Sequence, residues 1–153
     1  MSAAGEVFLD TNLLVYPFDR MEVVKGPLAD SVVKRIFAAG RPVISTQVLS
    51  EFYWSVTRKI ATKLSHDEAC AEVQRLINLT RVAPLTLDLL ERALQAIPKH
   101  QLPLWDALVF AAAILNGARY VLSEDFQHGR TAEGVTFLNP LDPAFDLSSL
   151  SIP

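Results

Sequence analysis

Val7-Phe8-Leu9-Asp10-Thr11-Asn12 runs three apolar residues straight into a carboxylate, a hydroxyl and an amide. A short apolar run stopped by a polar group is the pattern of a strand buried inside a sheet. A carboxylate beside such a strand is costly to bury unless it is paired, hydrogen-bonded or bound to a metal. Three more acids stand in comparable places: Glu51 in Gln47-Val48-Leu49-Ser50-Glu51-Phe52, Asp106 in Leu104-Trp105-Asp106-Ala107, and Asp125 in Leu122-Ser123-Glu124-Asp125-Phe126. Each falls where a strand ends or a helix begins, and apolar runs surround all four. Together they point to one shared cation.

Outward from this hexapeptide, helical spacing covers Asp30 to Ala39 and stops at Gly40. Pro42-Val43-Ile44 predicts a second strand. Ser45 or Thr46 then caps a long helix burying Val48, Leu49, Phe52, Val56 and Ile60. Ser65-His66-Asp67-Glu68 fits a capping box opening a helix through Leu79. Val82-Ala83-Pro84-Leu85 reads as an edge strand, where proline is tolerated. Thr86 caps a helix that stops near Pro98, and Pro103 starts an apolar helix ending at Asn116-Gly117. Tyr120-Val121-Leu122 and Val135-Thr136-Phe137-Leu138 complete the strands. Short strands alternating with helices imply a parallel sheet covered on both faces, an α/β protein in three α/β/α layers. In such sheets the reactive crevice lies beyond the carboxyl ends of the strands, where Asp10 and Asp125 fall directly.

Composition narrows the class. The chain has 153 residues, half of them apolar and a fifth charged, which excludes disorder. Fourteen basic against seventeen acidic side chains leave a net charge of −3, against a generally basic nucleic-acid coat but compatible with a local basic rim. The single cysteine, Cys70, permits no intrachain disulfide and reads as an inert buried thiol. Ala107 to Leu115 is the longest apolar run, far short of the roughly 20 residues a membrane span needs. With no signal peptide before the first strand, a cytoplasmic location is expected. No repeat or linker divides residues 1–153, so one domain is expected, with Pro140–Pro153 a packed or frayed tail. Trp54 and Trp105 are expected in the core or an interface.

Carboxylates and water suit hard cations such as Mg²⁺ or Mn²⁺, whereas zinc favours His or Cys. His66, His100 and His128 share no ligand-like spacing with each other or with Cys70. Thr11, Asn12 and Ser123 are short polar groups suited to orienting carboxylates. Arg20, Arg58, Lys59, His128 and Arg130 are candidates to contact phosphate.

These segments resemble the PIN-domain ribonucleases, and within them the VapC-type toxins of toxin–antitoxin pairs. The resemblance rests on Leu9 to Tyr16, Ser45 to Phe52, Leu104 to Leu108 and Leu122 to Gly129, with Phe137-Leu138-Asn139-Pro140 similar to a closing strand. It implies a five-stranded, mostly parallel α/β/α fold, a divalent metal and endonucleolytic cleavage of RNA. It places the acidic quartet at Asp10, Glu51, Asp106 and Asp125. Glu124 and Asp125 compete for the fourth place, since neighbours on extended backbone point to opposite faces; Asp125 is assigned to it and Glu124 to the supporting polar groups. The resemblance also implies a homodimer and a VapB-like antitoxin. Alternative readings are a non-toxin PIN nuclease of RNA processing and a catalytically inactive PIN-like binding module. An aspartyl-phosphate phosphatase is disfavoured, because such chemistry wants a second acid where this chain has Asn12.

Overall fold

Val7–Leu9 forms β1, wholly buried, at the interior of a six-stranded sheet. The computed structural model describes residues 2–152; Met1 and Pro153, the two ends of the expected domain, lie outside the described residues. After β1 come α1 (Thr11–Val15), a 3-10 turn (Tyr16–Phe18), α2 (Lys25–Ala39), β2 (Val43–Ser45), α3 (Thr46–Trp54), α4 (His66–Leu79) and β3 (Arg81–Ala83). Then follow α5 (Leu87–His100), α6 (Leu104–Leu115), β4 (Tyr120–Leu122), β5 (Thr131–Ala132) and β6 (Val135–Leu138). The strand order is β3-β2-β1-β4-β6-β5, and every pairing is parallel except β5 with β6. This is the expected α/β/α arrangement.

Local chemistry sets most boundaries. The Ser45 hydroxyl accepts the Val48 amide at 3.2 Å and starts α3. The capping box at Ser65 and Glu68 starts α4, and Thr86 caps α5 through the Leu89 amide. Helix α6 buries every residue from Ala107 to Ala113, as an apolar segment between a sheet and a neighbouring helix must.

The structure corrects several expectations. The sheet has six strands rather than five, because Thr131–Ala132 turns back on β6 through Glu133 and Gly134. Both turn residues have positive φ, 49° and 83°, as a two-residue hairpin turn of type I′ requires. Glutamate is an unusual choice at such a position; its carboxylate is engaged by Arg92, Lys99 and His100 on α5. Helix α2 begins at Lys25 rather than Asp30, with Pro27 in its first turn, where a missing N–H costs little. The strand expected over Val82–Leu85 ends at Ala83, before the proline. Helix α5 does stop near Pro98, as expected, ending at His100 with Gln101 left-handed at φ 55°. The long helix after β2 changes pitch at Ser55–Lys59 into a single π turn, and Leu49 is only partly buried on it. Cys70 is exposed rather than buried, and Trp54 and Trp105 are exposed rather than in the core. The tail packs: Leu147, Leu150 and Ile152 are buried. Among the described residues no helix is long and apolar enough to cross a membrane.

Candidate active site

The register of the central strands brings the first and last acidic segments together. Leu9 pairs with Leu122, so Asp10 and Ser123 leave the sheet side by side. There the Ser123 hydroxyl donates to Asp10 Oδ2 at 2.6 Å, while Asp10 Oδ1 accepts the Thr11 amide at 2.8 Å and caps α1. Thr11 Oγ1 donates to Glu51 Oε2 at 2.8 Å, and Gln47 Nε2 donates to Glu51 Oε1 at 3.0 Å. Asn12 Nδ2 lies 3.2 Å from both Ser123 Oγ and Asp125 Oδ2, and the Asp125 amide donates to Ser123 Oγ at 3.1 Å. The tripeptide Asp10-Thr11-Asn12 thus ties together three acids that are far apart in sequence: Asp10 itself, Glu51 and Asp125. Asp106, half-buried in the first turn of α6, is near enough to feel the charges of Asp125 and Glu51.

These carboxylates feel one another. Asp10 is 6% exposed, and its carboxyl is pushed up to about 6, first by burial; the Ser123 and Thr11 hydrogen bonds oppose this, and the charges of Asp125 and Glu51 add to it. Asp106 is raised by burial and then by the charges of Asp125 and Glu51. Among the described residues no lysine, arginine or histidine pairs with any of the four. Glu124 differs from them. It meets Lys25 Nζ at 3.1 Å and the Tyr16 hydroxyl, while the adjacent Asp125 lines the cleft described below.

The burial of Asp10 beside other acids has a measurable consequence. Asp10 titrates near 3.8 when unfolded and near 6 when folded. The proton therefore stabilises the fold fully below pH 3.8, and that stability is lost as pH rises through 6. In EDTA, lowering the pH from 7.5 to 5 is expected to restore about 1 kcal/mol, a few degrees in Tm. A chelated protein whose Tm is flat or falls over that interval would contradict the electrostatics described here. Saturating Mg²⁺ at pH 7.5 should give a comparable stabilisation.

A cleft of about 1000 Å³ opens beside Glu51 and Asp125; Asp10 and Asp106 are not among its lining residues. Thr11, Asn12, Glu51 and Asp125 line it together with Lys59, Leu85, Trp54 and Trp105. Of the five phosphate-contact candidates, Lys59 alone is among its lining residues. Arg58 lines a separate depression beside Trp54 and His66, and Arg20 another beside Tyr16 and Gly26. His128 Nδ1 accepts the Asn139 amide at 3.0 Å, and Arg130 donates to the His100 carbonyl, so both tie down the chain after Asp125. Gln47 is a site residue that sequence reasoning missed. Its spacing four residues before Glu51 on one helix face was a usable signal.

The PIN-domain family model matches residues 7–134. The chain belongs to the PIN-domain family. PIN domains are nucleases that generally use divalent metal ions. Among solved structures, this PIN domain is similar to VapC20 of Mycobacterium tuberculosis, described as a Sarcin-Ricin loop cleaving toxin. The match has 25% identity and a TM-score of 0.57, over 75% of this chain and 86% of that one. It also shares its fold with VapBC2 of Rickettsia felis, bound to a DNA fragment from their promoter. Here the TM-score is 0.60 at 12% identity, over 87% of this chain and 97% of that one. No curated protein matches the sequence. The donors of this PIN domain fit a hard divalent ion: four carboxylates, of which Asp10, Glu51 and Asp125 have neutral hydrogen-bond partners, and none of which forms an ion pair among the described residues. Among those residues no three histidine, cysteine or carboxylate side chains stand close enough together to hold a metal ion; Mg²⁺ usually keeps several waters and takes only one or two carboxylates directly.

Proposed function

We propose that this PIN domain is a metal-dependent endoribonuclease that cleaves single-stranded or looped RNA, the toxin of a VapBC-type pair. The observation that carries the reading is the convergence of Asp10, Glu51, Asp106 and Asp125 without a cationic partner, while neighbouring Glu124 has Lys25. Asp10 and Asp106 are the direct ligands in this reading, with Glu51 and Asp125 completing the set. A bound Mg²⁺, or Mn²⁺ in its place, would neutralise charge on the scissile phosphate and make water a better nucleophile. Thr11 fixes the Glu51 carboxylate, and Asn12 and Ser123 fix Asp125 and Asp10. Glu51 and Asp125 face the open cleft, where they can orient the attacking water and accept its proton. The hydroxyls of Thr11 and Ser123 are occupied in holding Glu51 and Asp10, and in this reading water is the nucleophile.

The similarity to a loop-cleaving toxin supports RNA as the substrate, and the VapC-like fold agrees with silencing by a VapB-like antitoxin. An arginine of such a partner would find four unpaired carboxylates to engage. A homodimer belongs to the same reading.

Pure protein incubated with single-stranded RNA should cleave it in Mg²⁺ or Mn²⁺ and stop in EDTA, with activity falling as salt rises because phosphate contacts release counterions. Cleavage that survives full chelation refutes the metal mechanism. An inert protein under every metal points to a binding module. Expression alone should slow bacterial growth, and co-expression of the cognate antitoxin should restore it; unimpaired growth from a soluble, active enzyme removes the toxin role and leaves the nuclease.

A further inference from the structure

The chain's two tryptophans are placed unlike its other aromatic residues. Every phenylalanine and tyrosine is buried or half-buried, yet Trp54 and Trp105 are 59% and 62% exposed. Both line the cleft beside Glu51 and Asp125. Trp54 follows Glu51 by three residues on α3, one turn along the same helix face. Trp105 immediately precedes Asp106 at the start of α6. An indole therefore accompanies an acid on each of two different helices. The same cleft also presents Lys59 and Leu85.

We propose that Trp54 and Trp105 are stacking platforms for unpaired bases on either side of the scissile phosphate. The inference rests on the ribonuclease reading and sharpens its substrate class. A phosphate drawn to the acidic floor through a cation brings its neighbouring nucleotides against the walls of the cleft. A flat indole offers each base a face without regard to sequence, and Lys59 offers the backbone a positive charge. Bases inside a duplex have both faces covered by their neighbours, so only unpaired nucleotides can use these surfaces. The cleft volume, at the upper end of the range for small-molecule pockets, suits an extended strand better than one compact ligand.

Trp54 and Trp105 being the only two tryptophans, emission excited at the red edge, where tyrosine does not absorb, reports on these positions alone. The wild-type protein, with Ca²⁺ replacing Mg²⁺, is titrated with a short single-stranded oligoribonucleotide and with a matched one carrying abasic positions. Stacking predicts strong quenching by the first and little by the second. Trp54→Ala and Trp105→Ala should each weaken binding of the intact oligonucleotide about tenfold or more. Trp54→Phe and Trp105→Phe should retain most of the affinity; each alanine variant should distinguish intact from abasic RNA less sharply than wild type, and the double alanine variant should not distinguish them. Circular dichroism of each variant confirms that the fold is retained.

If the wild type binds and cleaves RNA while both alanine variants match it, the stacking role is overturned and the nuclease reading stands. The stacking role also fails if the variants lose abasic and intact RNA equally. It fails too if they change only the sedimentation coefficient, which would place these indoles against protein. A wild type that neither binds nor cleaves any RNA in Mg²⁺ or Mn²⁺ overturns the nuclease reading itself, and this inference with it.

Discussion

Replacing Asp10 with asparagine is expected to lower RNA cleavage by about a thousandfold or more while leaving the fold intact. Asp10 is the most enclosed of the four acids, and its two oxygens already accept from Ser123 and from the Thr11 amide. An amide can occupy the same space, but it carries no negative charge to attract a cation, and it brings an N–H toward Ser123. Asp106→Asn should be comparably damaging, and Glu51→Gln severe. The pair at 124 and 125 gives the sharpest contrast. Asp125→Asn should harm cleavage far more than Glu124→Gln, because Glu124 is engaged by Lys25 and Tyr16 while Asp125 lines the cleft. Single-turnover rates in saturating Mg²⁺, beside circular dichroism of each variant, decide the matter. An Asp10→Asn protein that cleaves at near wild-type rates means that the chemistry lies elsewhere. A Glu124→Gln variant worse than Asp125→Asn reassigns the fourth position.

The largest effect on stability is expected at Phe137. This side chain is fully buried on β6, stacks against Phe126 with ring centroids 4.3 Å apart and planes 13° from parallel, and meets Phe110 of α6 at 6.2 Å. Truncation to alanine removes the ring and leaves a cavity that neighbouring strands cannot close, costing about 3–5 kcal/mol. For a domain of this size that lowers Tm by roughly 10 °C. Phe126 directly follows Asp125, so the cavity opens beneath the segment that carries this acid. Phe137→Leu, which refills much of the space, should recover a good part of both stability and activity. A calorimetric Tm within about 2 °C of wild type for Phe137→Ala would show that the sheet can collapse around the loss.

The core of the fold was legible because it is written locally. Val7-Phe8-Leu9, Val43-Ile44 and Tyr120-Val121-Leu122 are short apolar runs ended by polar groups, and each is a strand in the structure. Ser45, Ser65 and Thr86 announced helix starts through hydroxyls that accept the expected amides. The hairpin of β5 was not legible. Its turn is Glu133-Gly134 rather than an asparagine–glycine pair, and the left-handed glutamate is tied to Arg92 and His100, 41 and 33 residues away in sequence.

By itself, the sequence determined that apolar strands alternate with amphipathic helices and that acids stand where those elements end. Periodicity records which face of an element is apolar, and an acid beside an apolar run is visible wherever it falls. Tertiary structure alone decided how the acids meet. The parallel register of β1 against β4 sets Asp10 beside Ser123, and crossovers of many residues bring Glu51 within reach of the Thr11 hydroxyl. It also decided that Asp125 rather than Glu124 lines the cleft and that both tryptophans stand in solvent. Such features depend on contacts between residues 40 to 113 positions apart, and spacing along the chain carries no record of which distant side chains a register will place together.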